Sequence, residues 1–416
     1  MVRRLTFEDP GFAAAFAALV DERRGTAPDV DATVSEILTA VRTEGLPALL
    51  RISNQLDGAR LDGADLGVGA EEIAEGAAQC PKEVRDALAL AARRIGAYHA
   101  RQRPADAEFT DETGIELGWR WTPIDAVGIY VPGGRAAYPS SLLMNAVPAA
   151  IAGVGRIAMV TPPGHVSPAV LAAAQIAGVT EIWRVGGAQA VAALAYGAGP
   201  IAAVDKVVGP GNAYVSAAKR QVYGVVGIDA LAGPSEIVVV ADTANNPHWI
   251  AVDLLSQAEH DPVAQSILIT DDADFADAVA AAVEDEIASL ATQAAARASW
   301  DTHGAIIVAP AEHVQLAIDA PRALAAQIRH AGAIFMGRLT PEAIGDYIAG
   351  SNHVLPTSRA ARYSSGLSLF DFIKRTSLIT CDAGALEALG PATVALADAE
   401  GLPAHSRSVA QRLGQG

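Results

Sequence analysis

Cysteine and positive charge are both scarce in this chain. Only two cysteines, Cys80 and Cys381, occur in 416 residues, which excludes a disulfide framework and a multi-cysteine zinc site and fits a reducing compartment. Thirty Lys and Arg residues stand against 47 Asp and Glu residues, so the net charge is −17. Because nucleic-acid binding needs clustered basic residues, we expect no nucleic-acid partner.

A long uninterrupted apolar run is absent as well. The most apolar stretch, residues 142–160, contains Asn145, Pro148 and Arg156, so it predicts a helix, a turn and a strand rather than a membrane span. The N-terminus carries acidic residues before any apolar segment forms, which argues against a secretory signal. We expect a cytoplasmic protein that makes no membrane contact.

The chain does contain a long alternation of apolar patterns. Residues 11–103 predict one helix after another, followed by a short strand pair near 115–121. Residues 127–242 alternate short β-rich runs with helical stretches, and a second alternation places strands near 235–241, 265–270, 304–309 and 332–337. Because strands that alternate with helices form parallel sheets covered on both faces, the sequence predicts an α/β fold.

Three of the predicted strands end in glycine turns that lead into helices, at residues 127–134, 183–189 and 206–212. Glycine lets the backbone approach a ligand, and ligands of open α/β sheets bind outside the carboxyl ends of the strands. Connecting loops also favour glycine without any ligand. Since no Gly-x-Gly-x-x-Gly with a matching downstream acid is present, the turns predict a nucleotide-sized cleft without naming the cofactor.

Gln257 and His260 are three residues apart on a helix that we expect to end near Asp261, before Pro262. This spacing points an amide oxygen and an imidazole in nearly the same direction, as a shared metal ion would require. It equally describes a polar helix end with a histidine near the helix dipole. Further histidines and acids recur downstream, at Glu312, His313, Asp346, His353, Glu400 and His405.

Six blocks of sequence carry a family resemblance. They are Val-Gly-Ile-Tyr-Val-Pro-Gly-Gly (127–134), Gly-Pro-Gly-Asn (209–212), Ala-Gly-Pro-Ser-Glu (232–236), Gln-Ala-Glu-His-Asp-Pro (257–262), Gly-Ala-Ile-Phe-Met-Gly (332–337) and Gly-Asp-Tyr-Ile-Ala-Gly-Ser-Asn-His-Val-Leu-Pro-Thr (345–357). In these blocks and their order, the chain resembles the histidinol dehydrogenases, which catalyse the last steps of histidine biosynthesis, over nearly its whole length.

The resemblance implies two incomplete Rossmann-like parallel-sheet domains with a helical N-terminal segment and a C-terminal helical tail. The predicted division is a segment at 1–25, a zinc- and substrate-side domain at 26–128 and 237–367, a dinucleotide-side domain at 129–236, and a tail at 368–416. The tail has no apolar core of its own, so we expect it to pack on another part of the assembly. By resemblance, it completes the partner's active site in a homodimer.

The resemblance also implies a zinc ion and NAD as cofactors. Zinc would be held by Gln257, His260 and Asp346 and by the partner subunit's His405, a ligand set that suits its borderline character. The dinucleotide would lie against one residue at each glycine turn, namely Tyr130, Gln189 and Asn212.

The implied reaction is an NAD-dependent, zinc-requiring, four-electron oxidation of L-histidinol to L-histidine via L-histidinaldehyde. An imidazole that titrates near neutrality suits removal of the alcohol proton, and a carboxylate beside it suits activation of water. The resemblance assigns these roles to His313 and Glu312. The substrate-binding residues that it implies are Ser235, Gln257, His260, His313, Asp346, His353, Glu400 and His405.

Two alternatives stay open. Relatives with the same fold oxidise other small polar alcohols, such as a sulfopropanediol. The second alternative is a protein that binds zinc and a nucleotide without catalysis. A shortened connection at 309–312 is the reason to consider it.

Only Pro310 and Ala311 separate the strand predicted at 304–309 from Glu312, where the family has a helix. Two residues span at most about 7 Å, whereas a crossover between parallel strands needs about ten residues or more. Either the chain rearranges here or a segment is absent from the sequence. In both cases we expect Glu312 and His313 to face the predicted metal ligands.

Overall fold

Two parallel β-sheets and one small antiparallel sheet organise the chain in the computed structural model, which describes residues 2–22, 29–58, 60–133, 138–231, 233–311 and 321–414. Helices cover the parallel sheets, so the predicted α/β class is confirmed.

The strands are β1 (Arg3–Thr6), β2 (Ala107–Thr110), β3 (Glu116–Pro123), β4 (Ala126–Tyr130), β5 (Arg156–Thr161), β6 (Glu181–Arg184), β7 (Lys206–Val208), β8 (Gly227–Ile228), β9 (Glu236–Val240), β10 (Gln265–Thr270), β11 (Ala305–Val308) and β12 (Ile373–Thr380). The helices are α1 (Phe12–Asp21), α2 (Asp29–Glu44), α3 (Leu46–Leu56), α4 (Ala70–Gln79), α5 (Lys82–Ala100), α6 (Pro139–Ala152), α7 (Pro168–Ala177), α8 (Gly187–Tyr196), α9 (Ala213–Val222), α10 (Pro247–Ala258), α11 (Ala273–Ser289), α12 (Gln293–His303), α13 (Pro321–Ala325), α14 (Glu342–Tyr347), α15 (Ala383–Ala399) and α16 (Pro403–Ala410).

The larger parallel sheet has the strand order β6-β5-β4-β7-β8. The chain starts at the central strand β4, adds strands on one side as far as β6, and then crosses back to place β7 on the other side. In such sheets the crossovers leave β4 and β7 in opposite directions, and a crevice opens between their carboxyl ends. The topology therefore places a ligand site where the glycine turns after β4 and β7 meet.

Alternate residues of β4 face two separate apolar cores. Ile129 lies in a core with α4, α5, α6 and α7, whereas Tyr130 lies in a core with α2, α3, α8 and α9. These contacts join helices between residues 29 and 100 to the five-stranded sheet, although the predicted division groups them with 237–367. The division into domains itself remains a prediction.

The most apolar stretch, residues 142–160, forms the end of α6, a turn and β5. Gly153 ends the helix in the left-handed conformation with φ +94°, which glycine adopts without the strain that a Cβ would cause. The predicted helix, turn and strand are thus confirmed. No helix within the described ranges is both long and apolar enough to cross a membrane.

The second parallel sheet has the order β1-β11-β10-β9. Helices α10, α11 and α12 pack against it around Leu254, Leu268 and Trp300. Its edge strand β1 pairs with β11, with Leu5 opposite Ile307. The N-terminal segment was predicted to be helical, and that prediction missed β1 because a four-residue strand with one buried residue carries too little alternation to identify.

The strand predicted near 332–337 is wrong. These residues have no strand assignment and the whole segment is exposed. A strand needs hydrogen bonds from a neighbour, and within the described ranges the second sheet ends at β1 and β9, neither of which pairs with this segment. The apolar character of Ile334 and Phe335 therefore predicted a strand that finds no partner.

Candidate active site

The three predicted glycine turns lie together at the carboxyl ends of the five-stranded sheet. Tyr130 ends β4, and its hydroxyl accepts a hydrogen bond from the backbone N–H of Gly187, which follows β6, at 3.0 Å. A Cβ at Gly209, after β7, would collide with the carbonyl oxygen of Tyr130. Gly209 also has φ +106°, so both space and backbone conformation require glycine there.

Gln189 lies in the first turn of α8 and is 1% exposed. Its Nε2 donates to Asp57 Oδ2 at 3.4 Å, whereas no group in the described part of the chain donates to its Oε1. An unpaired buried carbonyl costs about 1–3 kcal/mol. Helix N-termini also attract anions. The start of α8 therefore suits a ligand that carries negative charge and donates a hydrogen bond to Gln189 Oε1.

Asn212 is the N-cap of α9. Its Oδ1 accepts hydrogen bonds from the backbone N–H groups of Tyr214 and Val215, each at 3.1 Å. The residue is exposed at the mouth of the crevice, and capping by Oδ1 leaves its amide nitrogen for a ligand. The structure therefore brings Tyr130, Gln189 and Asn212 to one edge of one sheet.

A buried ion pair between Lys219 and Asp229 supports the turn at Gly209. Lys219 Nζ donates to the carbonyl oxygen of Gly209 at 3.1 Å, and the N–H of Gly209 donates to Asp229 Oδ2 at 2.8 Å. Their side chains are 3% and 4% exposed. Sequence reasoning missed this pair, because a lysine in a polar helix pattern predicts a solvated side chain.

The predicted metal ligands Gln257 and His260 are adjacent. Gln257 lies in the last turn of α10 and is 4% exposed, and its Nε2 is 3.2 Å from His260 Nδ1. The helix starts at an N-cap, where Asn246 Oδ1 accepts from the N–H of His248 at 2.9 Å. Its apolar face, which includes Leu254 and Leu255, is buried against the second sheet.

Asp346 and His353 lie beside this pair. His353 Nδ1 donates to the backbone carbonyl of Asp346 at 2.8 Å, and Ser141 Oγ lies 3.4 Å from His353 Nε2. Burial raises the pKa of the Asp346 carboxyl, and the nearby imidazoles of His353 and His260 lower it. Burial also lowers the pKa of His353, which favours its neutral form.

Glu342, one helical turn before Asp346 on α14, was not identified from the sequence. Burial and the charge of Asp346 raise the pKa of Glu342 to about 7, although Ser256 Oγ donates to its Oε2 at 3.3 Å. Burial raises the pKa of Asp253 as well. Poorly solvated carboxylates beside two imidazoles form an environment that a divalent cation would stabilise, so the residues present fit a metal ion.

The raised pKa of Glu342 predicts a pH-dependent stability in metal-free protein. Because the folded state binds this proton more tightly than the unfolded state, the contribution of Glu342 to stability is fully present below pH 4.5 and is lost as pH rises through 7, a loss of up to about 3 kcal/mol. Glu342→Gln should remove most of this slope in chelator-treated protein, measured by urea denaturation at pH 5 and pH 8. The exposed Glu75 on α4 gives the control Glu75→Gln, and an unchanged slope in Glu342→Gln would contradict the prediction.

Among the described residues, Ser235, Glu400 and His405 make no side-chain hydrogen bond with this cluster. Ser235 precedes β9, where its carbonyl oxygen accepts from the N–H of Gln265 at 2.9 Å. Glu400 and His405 are exposed in the C-terminal tail, and in the described part no side-chain bond links them to Asp346. Glu312 and His313 lie outside the described residues.

Among the described residues, no group of three His, Cys, Asp or Glu side chains is placed to hold a metal ion. The predicted ligand set contains only His260 and Asp346 from these types within one chain, since the third ligand is an amide and the fourth was expected from a partner. The predicted ligands from one chain are therefore too few to form such a group.

The C-terminal tail leaves large apolar side chains exposed. Helices α15 and α16 pack on each other, while Leu396 is 66% exposed and Ile379 is 69% exposed. The chain exposes 21,109 Å² at 42.7 kDa, against about 15,000 Å² for a compact monomer of that mass. The excess of about 6,000 Å² is large enough to accommodate an obligate subunit interface.

Comparisons with known proteins agree over the whole chain. A family model described as Histidinol dehydrogenase matches residues 21–413. The histidinol dehydrogenases of Caulobacter vibrioides and Rhodospirillum rubrum are 66% and 58% identical, and each comparison covers 100% of both proteins. The crystal structure of histidinol dehydrogenase from Elizabethkingia anophelis matches with a TM-score of 0.92 at 32% identity and covers 99% of this chain and 98% of that one.

The Caulobacter protein contains residues that this chain lacks. Its alignment has 427 positions, whereas the chain has 416 residues, so at least 11 positions (427 − 416) face a gap.

Proposed function

The chain belongs to the histidinol dehydrogenase family and is an enzyme that oxidises histidinol in histidine biosynthesis, and from that premise we propose how it works. The proposed reaction is a zinc-requiring, NAD-dependent, four-electron oxidation of L-histidinol to L-histidine through L-histidinaldehyde. The observation that carries the proposal is the meeting of Gln257, His260, Asp346 and His353 in one cluster.

NAD binds, in this proposal, in the crevice of the five-stranded sheet on the 129–236 side. The buried Gln189 Oε1 accepts a hydrogen bond from the dinucleotide and so acquires the donor that it lacks among the described residues. Tyr130 fixes the turn at Gly187 through its hydroxyl, and Asn212 holds the mouth of the crevice through the cap of α9. When bound, the cofactor supplies the hydride acceptor for both oxidations.

Gln257, His260 and Asp346 hold zinc together with the partner subunit's His405, on the 237–367 side. When bound, zinc supplies the positive charge that orients the amine and imidazole of the substrate. Asp346 neutralises part of that charge, and the carbonyl of the same residue holds the ring of His353 in place. His353 is kept neutral by burial, so its ring contacts the substrate without adding a positive charge.

Proton transfer is assigned to Glu312 and His313. His313 removes the proton from the hydroxyl oxygen as hydride leaves the carbon that bears that hydroxyl, because an imidazole near neutral pH has a neutral form that accepts a proton. Glu312 then deprotonates the water that adds to the aldehyde. Ser235 and Glu400 complete the proposed substrate contacts.

The proposed assembly is a homodimer in which each tail crosses to the other subunit. It is supported by the exposed apolar residues of the tail and by the excess surface of the single chain. Both cysteines are free, which suits the reducing cytoplasm that we propose as its location.

A spectrophotometric assay tests the proposed reaction. NADH absorbance should rise when histidinol and NAD⁺ are added, with two NADH formed per histidinol consumed, and a chelator should stop it. A sulfopropanediol that turns over faster than histidinol would favour the alternative substrate. Binding of zinc and NAD⁺ without any NADH formation would instead favour the non-catalytic alternative that the shortened connection at 309–312 raised.

A further inference from the structure

One carboxylate at the nucleotide crevice has no role in the proposed reaction. Asp57 follows α3 as its C-cap, where its N–H donates to the carbonyl of Ser53 at 2.9 Å. It therefore reaches the crevice from a helix that packs beside the five-stranded sheet, not from a strand of that sheet. Sequence reasoning did not identify it, since it is 73 positions before the first of the three residues predicted to bind the dinucleotide.

Three groups interact with the Asp57 carboxylate, and each lies just beyond a different strand or at its end. Gln189, after β6, donates to it through Nε2 at 3.4 Å. His165, after β5, lowers its pKa while burial raises it. The charge of Asp57 in turn contributes to the raised pKa of Tyr130, at the end of β4. The carboxylate thus lies above the carboxyl ends of β4, β5 and β6.

His165 also helps to define this side of the crevice. It lies so close to Gly133 in the first glycine turn that a Cβ on that glycine would come within 2.6 Å of the imidazole. The first turn, His165 and Asp57 are therefore neighbours on the β5 and β6 side of β4.

In parallel sheets of this strand order, an acid on that side has a known chemical use. It normally follows the second strand, accepts hydrogen bonds from the ribose hydroxyls of the adenosine half, and repels a 2′-phosphate. Here β5 is followed by Pro-Pro-Gly-His (162–165) and β6 by Val-Gly-Gly (185–187), and neither segment contains an acid. The acid that normally follows the second strand is therefore absent from both segments.

We propose that Asp57 takes over this role: its carboxylate accepts hydrogen bonds from the adenosine ribose hydroxyls and excludes a 2′-phosphate, which selects NAD over NADP. The inference rests on the proposed use of a nicotinamide dinucleotide in this crevice. It makes Asp57 a specificity-determining residue that is distant from the reacting carbon.

Calorimetric titration with ADP-ribose and with 2′-phospho-ADP-ribose tests this without any turnover. The full-length wild-type protein should bind ADP-ribose at least about 100-fold more tightly, because the phosphate would be placed against a carboxylate. Asp57→Ser should weaken ADP-ribose binding by about 10-fold, the loss of one charge-assisted hydrogen bond. Asp57→Asn keeps the shape and one acceptor, so it should lose less affinity for ADP-ribose. Both variants should bind the 2′-phosphorylated ligand more tightly than the wild type does, because each removes the negative charge.

The control is Asp65→Asn, which removes the same charge from an exposed position on the connection between α3 and α4, and it should leave both affinities unchanged. Equal discrimination by the wild type and both Asp57 variants, with ADP-ribose still bound, overturns the role of Asp57 and leaves the proposed reaction intact. Failure of the wild type to bind either ligand, with NAD⁺ also unbound, overturns the proposed nucleotide site and this inference together. Unchanged thermal melting of the variants establishes that they are folded.

Discussion

His260→Ala should lower kcat for histidinol oxidation by about 1,000-fold or more while leaving the protein folded. Loss of one of the four proposed ligands should weaken zinc binding, and charge stabilisation by a metal contributes several kcal/mol to such reactions. His260 is exposed just after α10, so its truncation removes little packing, whereas Leu254 and Leu255 of the same helix keep their buried contacts. Turnover, bound zinc and circular-dichroism melting should be measured on the same preparation.

His248→Ala is the matched control for this experiment. His248 lies on the same helix, is exposed, and pairs with Glu286 at 3.0 Å, so its loss should change neither zinc content nor kcat beyond about 2-fold. Rigorously metal-free protein should lose activity in the same way as His260→Ala and recover it when zinc is added back. Full activity in metal-free protein would exclude a catalytic role for the metal.

The parts of this molecule that could be predicted from the sequence are those that depend on local pattern. The helix that carries Gln257 is set by its cap, its apolar face and Pro262, all within a short stretch of chain. The glycine turns after β4, β6 and β7 are likewise recognisable one at a time. Their meeting at one edge follows from the rule that ligands of parallel sheets bind at the carboxyl ends of strands.

The parts that could not be predicted depend on contacts between distant residues. Asp57 meets Gln189 across 132 positions and Ser141 meets His353 across 212, and no local pattern encodes such pairs. The structural role of Lys219 becomes evident only from its buried ion pair with Asp229. The error at 332–337 has the same origin, because a strand-like pattern does not become a strand without a neighbour.

The proposed homodimer shares its active sites between two subunits, so mixing two inactive variants should restore activity. His260→Ala and His405→Ala homodimers should each be nearly inactive. In a hybrid dimer, one site combines the intact His260 of one subunit with the intact His405 tail of the other, and the second site lacks both. Random exchange of equal amounts makes half the dimers hybrid, so about a quarter of all sites, and about a quarter of wild-type activity, should return.

The control mixture is His260→Ala with Asp346→Ala, whose defects both lie in residues that the same subunit contributes. Every site in those hybrids lacks one local ligand, so no activity should return. Hybrid formation should be established in both mixtures by native mass spectrometry of subunits with different tags, after exchange in mild denaturant. If His260→Ala and His405→Ala hybrids form and stay inactive, the tail does not complete the partner's site, and the exposed apolar residues at Ile379 and Leu396 must be covered by another arrangement.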